Sequence, residues 1–273
     1  MSRSNPTKNN EIITEEMVNL KRIYTPEPPR VKVNHSIKTS FNEGVEINFE
    51  DIGHDYTYLG KPLQGVTEYI KKFFAPFKVK TISKMLSIKW GVPQYVIESI
   101  WYSSGEVASD FGTAIHKALE HYEKYKDIGE MISKSRGEVD NYALPKHPIL
   151  RKIVLDFIEV NKIEGIVECE ALVSNVAGGI CGLADRIVIV DMPNKICRIG
   201  DYKINIDADI KDSKHRVLEP FNYLPNTKLS KYQLQLSVYA NMLQKSGWTV
   251  QALDVYVLED KWKYYELEVL QVL

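Results

Sequence analysis

The chain of 273 residues is long enough for one large domain or two small ones, because domains average about 100–200 residues. Its 35 Lys and Arg residues are balanced by 36 Asp and Glu residues, so the formal net charge is −1 and a uniformly basic, histone-like protein is excluded. A nucleic acid would have to bind to a local basic patch. Hydrophobic residues make up 44% of the chain, which is typical of a globular protein.

The three cysteines are Cys169, Cys181 and Cys197, and no two of them form a C-x-x-C pair. They are too few for a disulfide scaffold or for an iron–sulfur cluster with four thiolate ligands. We therefore expect reduced cysteines that fill space in a core. The sequence has neither a signal peptide nor an apolar run near the roughly 20 residues that cross a bilayer, which predicts a soluble cytoplasmic protein with no membrane partner.

Residues 1–44 are predicted to form a flexible tail, because NPTKNN and TPEPPR are polar and rich in proline. A folded domain is expected over residues 45–273. The alternating segments VEINF and DYTYL predict a hairpin at its start. Helices are predicted at VTEYIKKFFAPF and TISKMLSIKW, then in a third segment ending at Trp101, a longer one over residues 105–125, and one in HPILRKIVLDFIEVNK.

The second half of the domain is richer in β-structure. IVECEALVSNVAGG, ICGLADRIVIVD and KICRIGDYKI predict three strands. After a long loop, LSKYQLQLSVYANMLQKSGW predicts an amphipathic helix, and TVQALDVYVL with KWKYYELEVL predicts a terminal hairpin. This order indicates an α+β or α/β/α domain in which helices flank a mixed central β-sheet.

Asp201 and Lys203 in IGDYKI project from the same side of the third of these strands, because alternate strand residues share a face. Asp185 lies on the preceding strand and would approach Asp201 if the two strands paired. Two carboxylates beside a lysine could hold Mg²⁺ or Mn²⁺ next to a phosphate. The same pattern also fits a salt bridge at the end of a sheet.

His116 and Glu120 in FGTAIHKALE lie one turn apart on a predicted helix. The imidazole could supply a third metal ligand, although a core histidine with a satisfied partner is an alternative. Gln235 and Tyr239 are also one turn apart on the later helix, and such residues often border a core.

Taken in order, GTAIHKALE, VECEALV, GLADRI, GDYK and QLQLSVYA resemble the motifs of the PD-(D/E)XK nuclease superfamily, and within it the RecB-type exonucleases. YTYLGKPLQGVT is similar to a segment of the mitochondrial genome maintenance exonucleases. The resemblance covers roughly residues 56–248. It implies a restriction-endonuclease-like core over residues 105–273, with a helical N-terminal part over residues 45–104. The chain departs from the family at Ile204, where a threonine is common.

The resemblance also implies a role for each matching residue. The metal ligands would be His116, Asp185, Asp201 and the backbone carbonyl of Tyr202. Lys203 would be the catalytic lysine.

Four further residues match the family's pattern. Glu170 would be the strand glutamate, with Glu168 as its alternative if the register differs by two residues. Gln235 and Tyr239 would lie along the active-site cleft and the DNA backbone, and Glu120 would support the helix of the histidine ligand.

Residues 70–97 combine lysines with aromatic residues and contain no acidic residue. Lysines that follow phosphates and rings that stack on bases suit a single strand. The candidate nucleic-acid-binding residues are Lys71, Lys72, Lys78, Lys80 and Lys84, with Lys214 and Arg216 in the long loop. A solvated lysine face over an aromatic core is the alternative.

These observations predict a metal-dependent deoxyribonuclease that uses Mg²⁺ or Mn²⁺ and acts as an exonuclease on single-stranded DNA or on a free DNA end. Its setting would be DNA replication, recombination or repair in the cytoplasm of a bacterial or phage-infected cell. The alternatives are an endonuclease of the same superfamily and a non-catalytic module that binds DNA ends. RNA also remains open as a substrate.

Overall fold

The structure is a computed structural model that describes residues 34–37, 41, 44–50, 55–126, 148–204 and 215–273. Lys214, one of the candidate nucleic-acid-binding residues, lies outside the described residues, as does most of the predicted tail. None of the described helices is long and apolar enough to cross a membrane.

The helices and strands follow one another in a mixed α and β order. In chain order they are β1 (Asn34–Ile37), β2 (Ile47–Glu50), β3 (Asp55–Tyr58), β4 (Lys61–Gly65), α1 (Val66–Ile70), α2 (Val79–Trp90), α3 (Gln94–Tyr125), α4 (Pro148–Val160), β5 (Ile166–Asn175), β6 (Ile180–Asp191), β7 (Ile196–Ile204), α5 (Lys228–Lys245), β8 (Thr249–Leu258) and β9 (Trp262–Leu267). The three predicted strands of the second half, the helix after them and the terminal hairpin are all present.

The nine strands of the described residues form one mixed sheet. Strands β1 to β4 pair antiparallel in sequence order, and β4 then pairs in parallel with the start of β6. Three further pairs are antiparallel, namely β5 with β6, β6 with β7, and β8 with β9. Strands β7 and β8 are parallel. The predicted fold class, a mixed central sheet flanked by helices, is therefore confirmed.

Helices cover both faces of the sheet. Helix α5 packs on one face, where Leu236 joins a core with Ile187 and Val255. Helices α3 and α4 pack on the other face, around Phe157 and Tyr202. Helix α4 packs there because its apolar side chains recur at intervals of three and four residues, which places them on one stripe.

The first half differs from the sequence predictions in two places. The described part of residues 1–44 includes strand β1, which pairs with β2, and Phe41, which is buried with its ring 5.2 Å from that of Trp248. The two helices predicted on either side of residues 102–104 are one helix, α3. A single Gly105 costs an interior helix turn only about 1 kcal/mol, and the buried second half of α3 offsets that cost.

Candidate metal centre

The candidate site lies where two neighbouring strands stop pairing. Strands β6 and β7 pair as far as Arg186 and Gly200, one residue short of Asp185 and Asp201. Strand β7 continues to Ile204 and pairs there with β8 alone. Both aspartates therefore project at an opening in the sheet, as expected if the strands formed a hairpin.

Helix α3 brings a histidine to this opening. The Nδ1 atom of His116 lies 3.2 Å from Oδ2 of Asp185, and its Nε2 atom lies 2.8 Å from the backbone oxygen of Tyr202. Ligand atoms of His116, Asp185 and Asp201 all lie within 4.8 Å of one another. The His116 and Asp185 side chains are 27% and 24% exposed, so solvent reaches the cluster. Three residues far apart in sequence thus meet at one point.

These donor atoms suit a hard divalent cation. One imidazole, two carboxylates and a backbone carbonyl form an oxygen-rich set of the kind that Mg²⁺ and Mn²⁺ accept. Both ring nitrogens of His116 have polar partners, because Nε2 donates to the Tyr202 oxygen at 2.8 Å and Nδ1 lies 3.2 Å from Asp185. A cation that used either nitrogen as a ligand would take the place of a proton there.

Lys203 stands beside the candidate ligands. Its ammonium group donates a hydrogen bond of 2.6 Å to Oδ1 of Asp201, and it lies 4.9 Å from the centre of the Tyr232 ring on α5. Asp201 is almost fully buried, whereas the Lys203 side chain is 20% exposed. The pair is a salt bridge, which was the alternative interpretation, and it is also part of the cluster. Tyr232 was missed by the sequence analysis because nothing local marks an aromatic residue that packs under a lysine.

The charges of the cluster are strongly coupled. Burial and the negative charge of Asp185 raise the pKa of Asp201 well above its ordinary range. Burial alone would also raise the pKa of Asp185, but hydrogen bonds from His116 and Asp201 outweigh it and hold that pKa below its usual range. In His116, burial lowers the pKa, but the hydrogen bond and charge of Asp185 dominate and the net pKa is raised.

Lys203 keeps its proton for a similar reason. Burial lowers its pKa, but Asp201 and Asp185 raise it further, so that the net pKa lies above its ordinary value. A divalent cation bound to His116, Asp185 and Asp201 would favour the deprotonated form of each ligand, so its binding should release protons from the cluster.

Glu170 lies opposite Asp185, since its neighbours Cys169 and Ala171 pair with Arg186 and Ala184. Glu168 lies opposite Ile187, farther along β6, so the register favours Glu170 as the strand glutamate. Although Glu170 is exposed as a residue, partial burial of its carboxyl group and the charge of Asp185 raise its pKa to about 7.

The backbone of Glu170 is unusual, with a φ of 50° in the left-handed region. A strand with this kink no longer alternates regularly. Ala171 belongs to the core under α5. The thiol of Cys169, two residues earlier, lies on the face covered by α3, because the charges of Glu123 and Glu120 on that helix help burial to raise its pKa. Period-two reasoning from the sequence missed this change of face.

The supporting residues differ in position. Glu120 forms an ion pair with Lys124 on α3, and its charge contributes to the raised pKa of Glu170. Gln235 is half-buried on α5.

Tyr239 is buried, and its hydroxyl donates a 2.8 Å hydrogen bond to the Leu183 oxygen. Burial raises the pKa of Tyr239, and the charges of Asp185 and Asp201 raise it further, so the hydroxyl lies near the candidate ligands. Its position along the active-site cleft and the DNA backbone stays a prediction. It packs against Gly182 so closely that an added Cβ would lie 2.6 Å from its hydroxyl oxygen, so Tyr239 also supports β6.

The predicted basic surface is partly neutralised. Lys71 pairs with Glu68 at 2.5 Å, and Lys80 pairs with Glu98 at 2.6 Å. Lys72 lies 3.6 Å from the centre of the Tyr69 ring. The remaining predicted cations of the described residues are exposed, namely Lys78, Lys84 and Arg216.

The aromatic residues among these lysines divide into two groups. Phe73 is buried, as the core alternative requires, whereas Phe77 and Trp90 are 65% and 56% exposed. The three cysteines are free and buried, in agreement with a packing role. Comparison with models of protein families, with curated proteins and with solved structures finds no match to this chain.

Proposed function

We propose that the protein is a metal-dependent deoxyribonuclease, and specifically an exonuclease of the PD-(D/E)XK type that acts from a DNA end. The observation that carries the proposal is the meeting of His116, Asp185 and Asp201 with Lys203 at one opening in the sheet. A restriction-endonuclease-like core is part of the proposal, supported by antiparallel β5, β6 and β7 followed by parallel β8. We place this activity in the cytoplasm, in replication, recombination or repair.

A divalent cation held by His116, Asp185, Asp201 and the Tyr202 carbonyl would supply Lewis-acid activation of a phosphodiester and a water molecule. The rest of the chemistry falls to side chains. Lys203 remains protonated and offsets negative charge on a phosphate as it develops. The Glu170 carboxyl group, with a pKa of about 7, can accept and release a proton near neutral pH.

Chelation and substrate form test this proposal. We expect purified protein to degrade end-labelled linear DNA with Mn²⁺ and to stop when EDTA is added. Circular single-stranded DNA should persist, because an exonuclease needs an end. Cleavage of the circle would instead support the endonuclease alternative. Binding to DNA ends without cleavage under any divalent cation would support the non-catalytic module and overturn the proposed function.

The choice of cation follows from the ligands. One nitrogen ligand among oxygens suits Mn²⁺ better than Mg²⁺, which demands near-ideal octahedral geometry. Single-turnover cleavage should therefore be faster with Mn²⁺ than with Mg²⁺, and Ca²⁺ should support binding with little cleavage. Equal rates with all three cations would contradict the proposed ligand set. The same assay with end-labelled RNA tests whether the protein cleaves RNA as well as DNA.

A further inference from the structure

Arg186 follows the candidate ligand Asp185 directly and is wholly buried. Its Nε atom donates a 2.9 Å hydrogen bond to Oε1 of Glu123 on α3, whose side chain is also inaccessible to solvent. The second oxygen of Glu123 accepts from Lys126 at 2.5 Å. The Arg186 guanidinium thus joins β6 to α3 in the interior of the protein.

This ion pair lies close to two candidate ligands on two separate elements. Glu123 follows His116 by seven residues, which is two helical turns, so both side chains lie on nearly the same face of α3. Arg186 is adjacent to Asp185 on β6. Any sliding or rotation of α3 on the sheet would therefore disturb the ion pair and the contact of 3.2 Å between His116 and Asp185 together.

Neighbouring groups confine the guanidinium further. Its Nη2 atom lies 3.4 Å from Oδ1 of Asn161, which also accepts a 2.9 Å hydrogen bond from the Tyr256 hydroxyl. Gly200 leaves the space that the arginine fills, since a Cβ there would lie 3.4 Å from its Cδ. Arg186 is thereby held against the end of α4 and against β8 as well as against α3.

A buried ion pair of this kind is a poor source of stability. The cost of removing both charges from water can exceed their attraction, and replacing both by apolar residues is often neutral. The geometry that the pair imposes on the ligands explains its position better than stability does. We propose that Arg186 and Glu123 are positioning residues that set His116 against Asp185. The inference rests on the proposed function only for its metal-binding consequence.

The experiment replaces both charges at once. The test protein is the double variant Arg186→Met, Glu123→Leu. The control is the double variant Arg198→Met, Asp254→Leu, which removes another arginine–carboxylate pair, with a contact of 2.6 Å. That second pair joins β7, β8 and β9 and does not involve α3. Two quantities are measured on folded protein: the ring-nitrogen NMR signals of His116 without metal, and the dissociation constant for Mn²⁺ by calorimetry.

We expect the Arg186, Glu123 variant to shift the His116 signals and to weaken Mn²⁺ binding by about 10-fold or more, as is usual for groups that orient metal ligands. The control should change neither quantity, although both variants alter thermal stability. Unchanged His116 signals, or an equal shift in the control, would overturn the inference. If the double variant does not fold, Arg186→Lys, which retains one donor for Glu123, replaces it with the same criteria.

The two proposals can fail separately. Absence of Mn²⁺ binding and of cleavage by the wild-type protein would overturn the proposed function. The His116 signals of the metal-free variants would still decide whether Arg186 and Glu123 position the histidine.

Discussion

Replacing Lys203 separates catalysis from metal binding more sharply than any other single change. Its ammonium is 2.6 Å from Asp201 and its side chain is 20% exposed, so it acts in a partly desolvated setting. We choose Lys203→Met, which keeps an unbranched side chain of nearly the same length but removes the ammonium group. The ligand set stays whole, and Mn²⁺ binding should be equal or tighter, because a competing positive charge has been removed.

The expected loss of rate follows from electrostatics. Two unit charges about 4 Å apart interact by about 4 kcal/mol at an effective dielectric constant of about 20. At about 1.36 kcal/mol per factor of ten, this amounts to a rate loss of roughly 10³. Solvent screening of a side chain that is one-fifth exposed reduces the effect, so we expect a loss of about 10²–10³, which is typical of removing one preorganised donor.

Asp201→Asn is the matched comparison, because it changes the partner in the same hydrogen bond. The amide keeps the size of the side chain but loses the charge of a ligand, so Mn²⁺ affinity and cleavage should fall together. Calorimetric titration with Mn²⁺ and single-turnover cleavage of end-labelled DNA measure both quantities. A folded Lys203→Met variant that cleaves at nearly the wild-type rate would reduce the pair to a structural salt bridge and refute the reasoning.

Three further predictions concern Glu170 and the basic surface. The pKa of Glu170 in the folded protein, about 7, lies above its ordinary value, so ionisation of this carboxyl group opposes folding. Without added metal, the free energy of unfolding should therefore fall as the pH rises from about 4.5 to 7. Glu170→Gln should reduce this fall, as measured by thermal melts. Since φ at this position is 50°, Glu170→Gly should be about 1 kcal/mol more stable than Glu170→Ala in urea unfolding, and equal stabilities would contradict local strain. Neutralising the exposed Lys78 and Lys84 should lower the slope of log affinity against log salt by roughly 0.7 per lysine on single-stranded DNA. Neutralising Lys71 and Lys80, which form ion pairs, should lower the slope less. An unchanged slope would show that Lys78 and Lys84 only face solvent.

The sequence by itself determined the features that local patterns encode. Alternation of apolar residues identified β2 and β3, runs rich in β-forming residues identified β5 to β9, and helical spacing identified α2, α4 and α5. The motifs around His116, Asp185 and Lys203 also selected the residues that meet at the opening in the sheet. This was possible because each motif lies within one element and because alternate residues of a strand share a face.

Only the tertiary structure decided the features that depend on distant partners. Pairing with β2 made a strand of residues in the predicted tail, and packing of its second half kept α3 continuous across Gly105. The left-handed backbone of Glu170 moved neighbouring side chains of β5 to opposite faces. Tyr239 is buried and donates a hydrogen bond to the Leu183 oxygen, and the buried Arg186 donates one to Glu123 on α3. Each of these features depends on contacts between residues far apart in the chain, and the local spacing of apolar residues carries no information about such contacts.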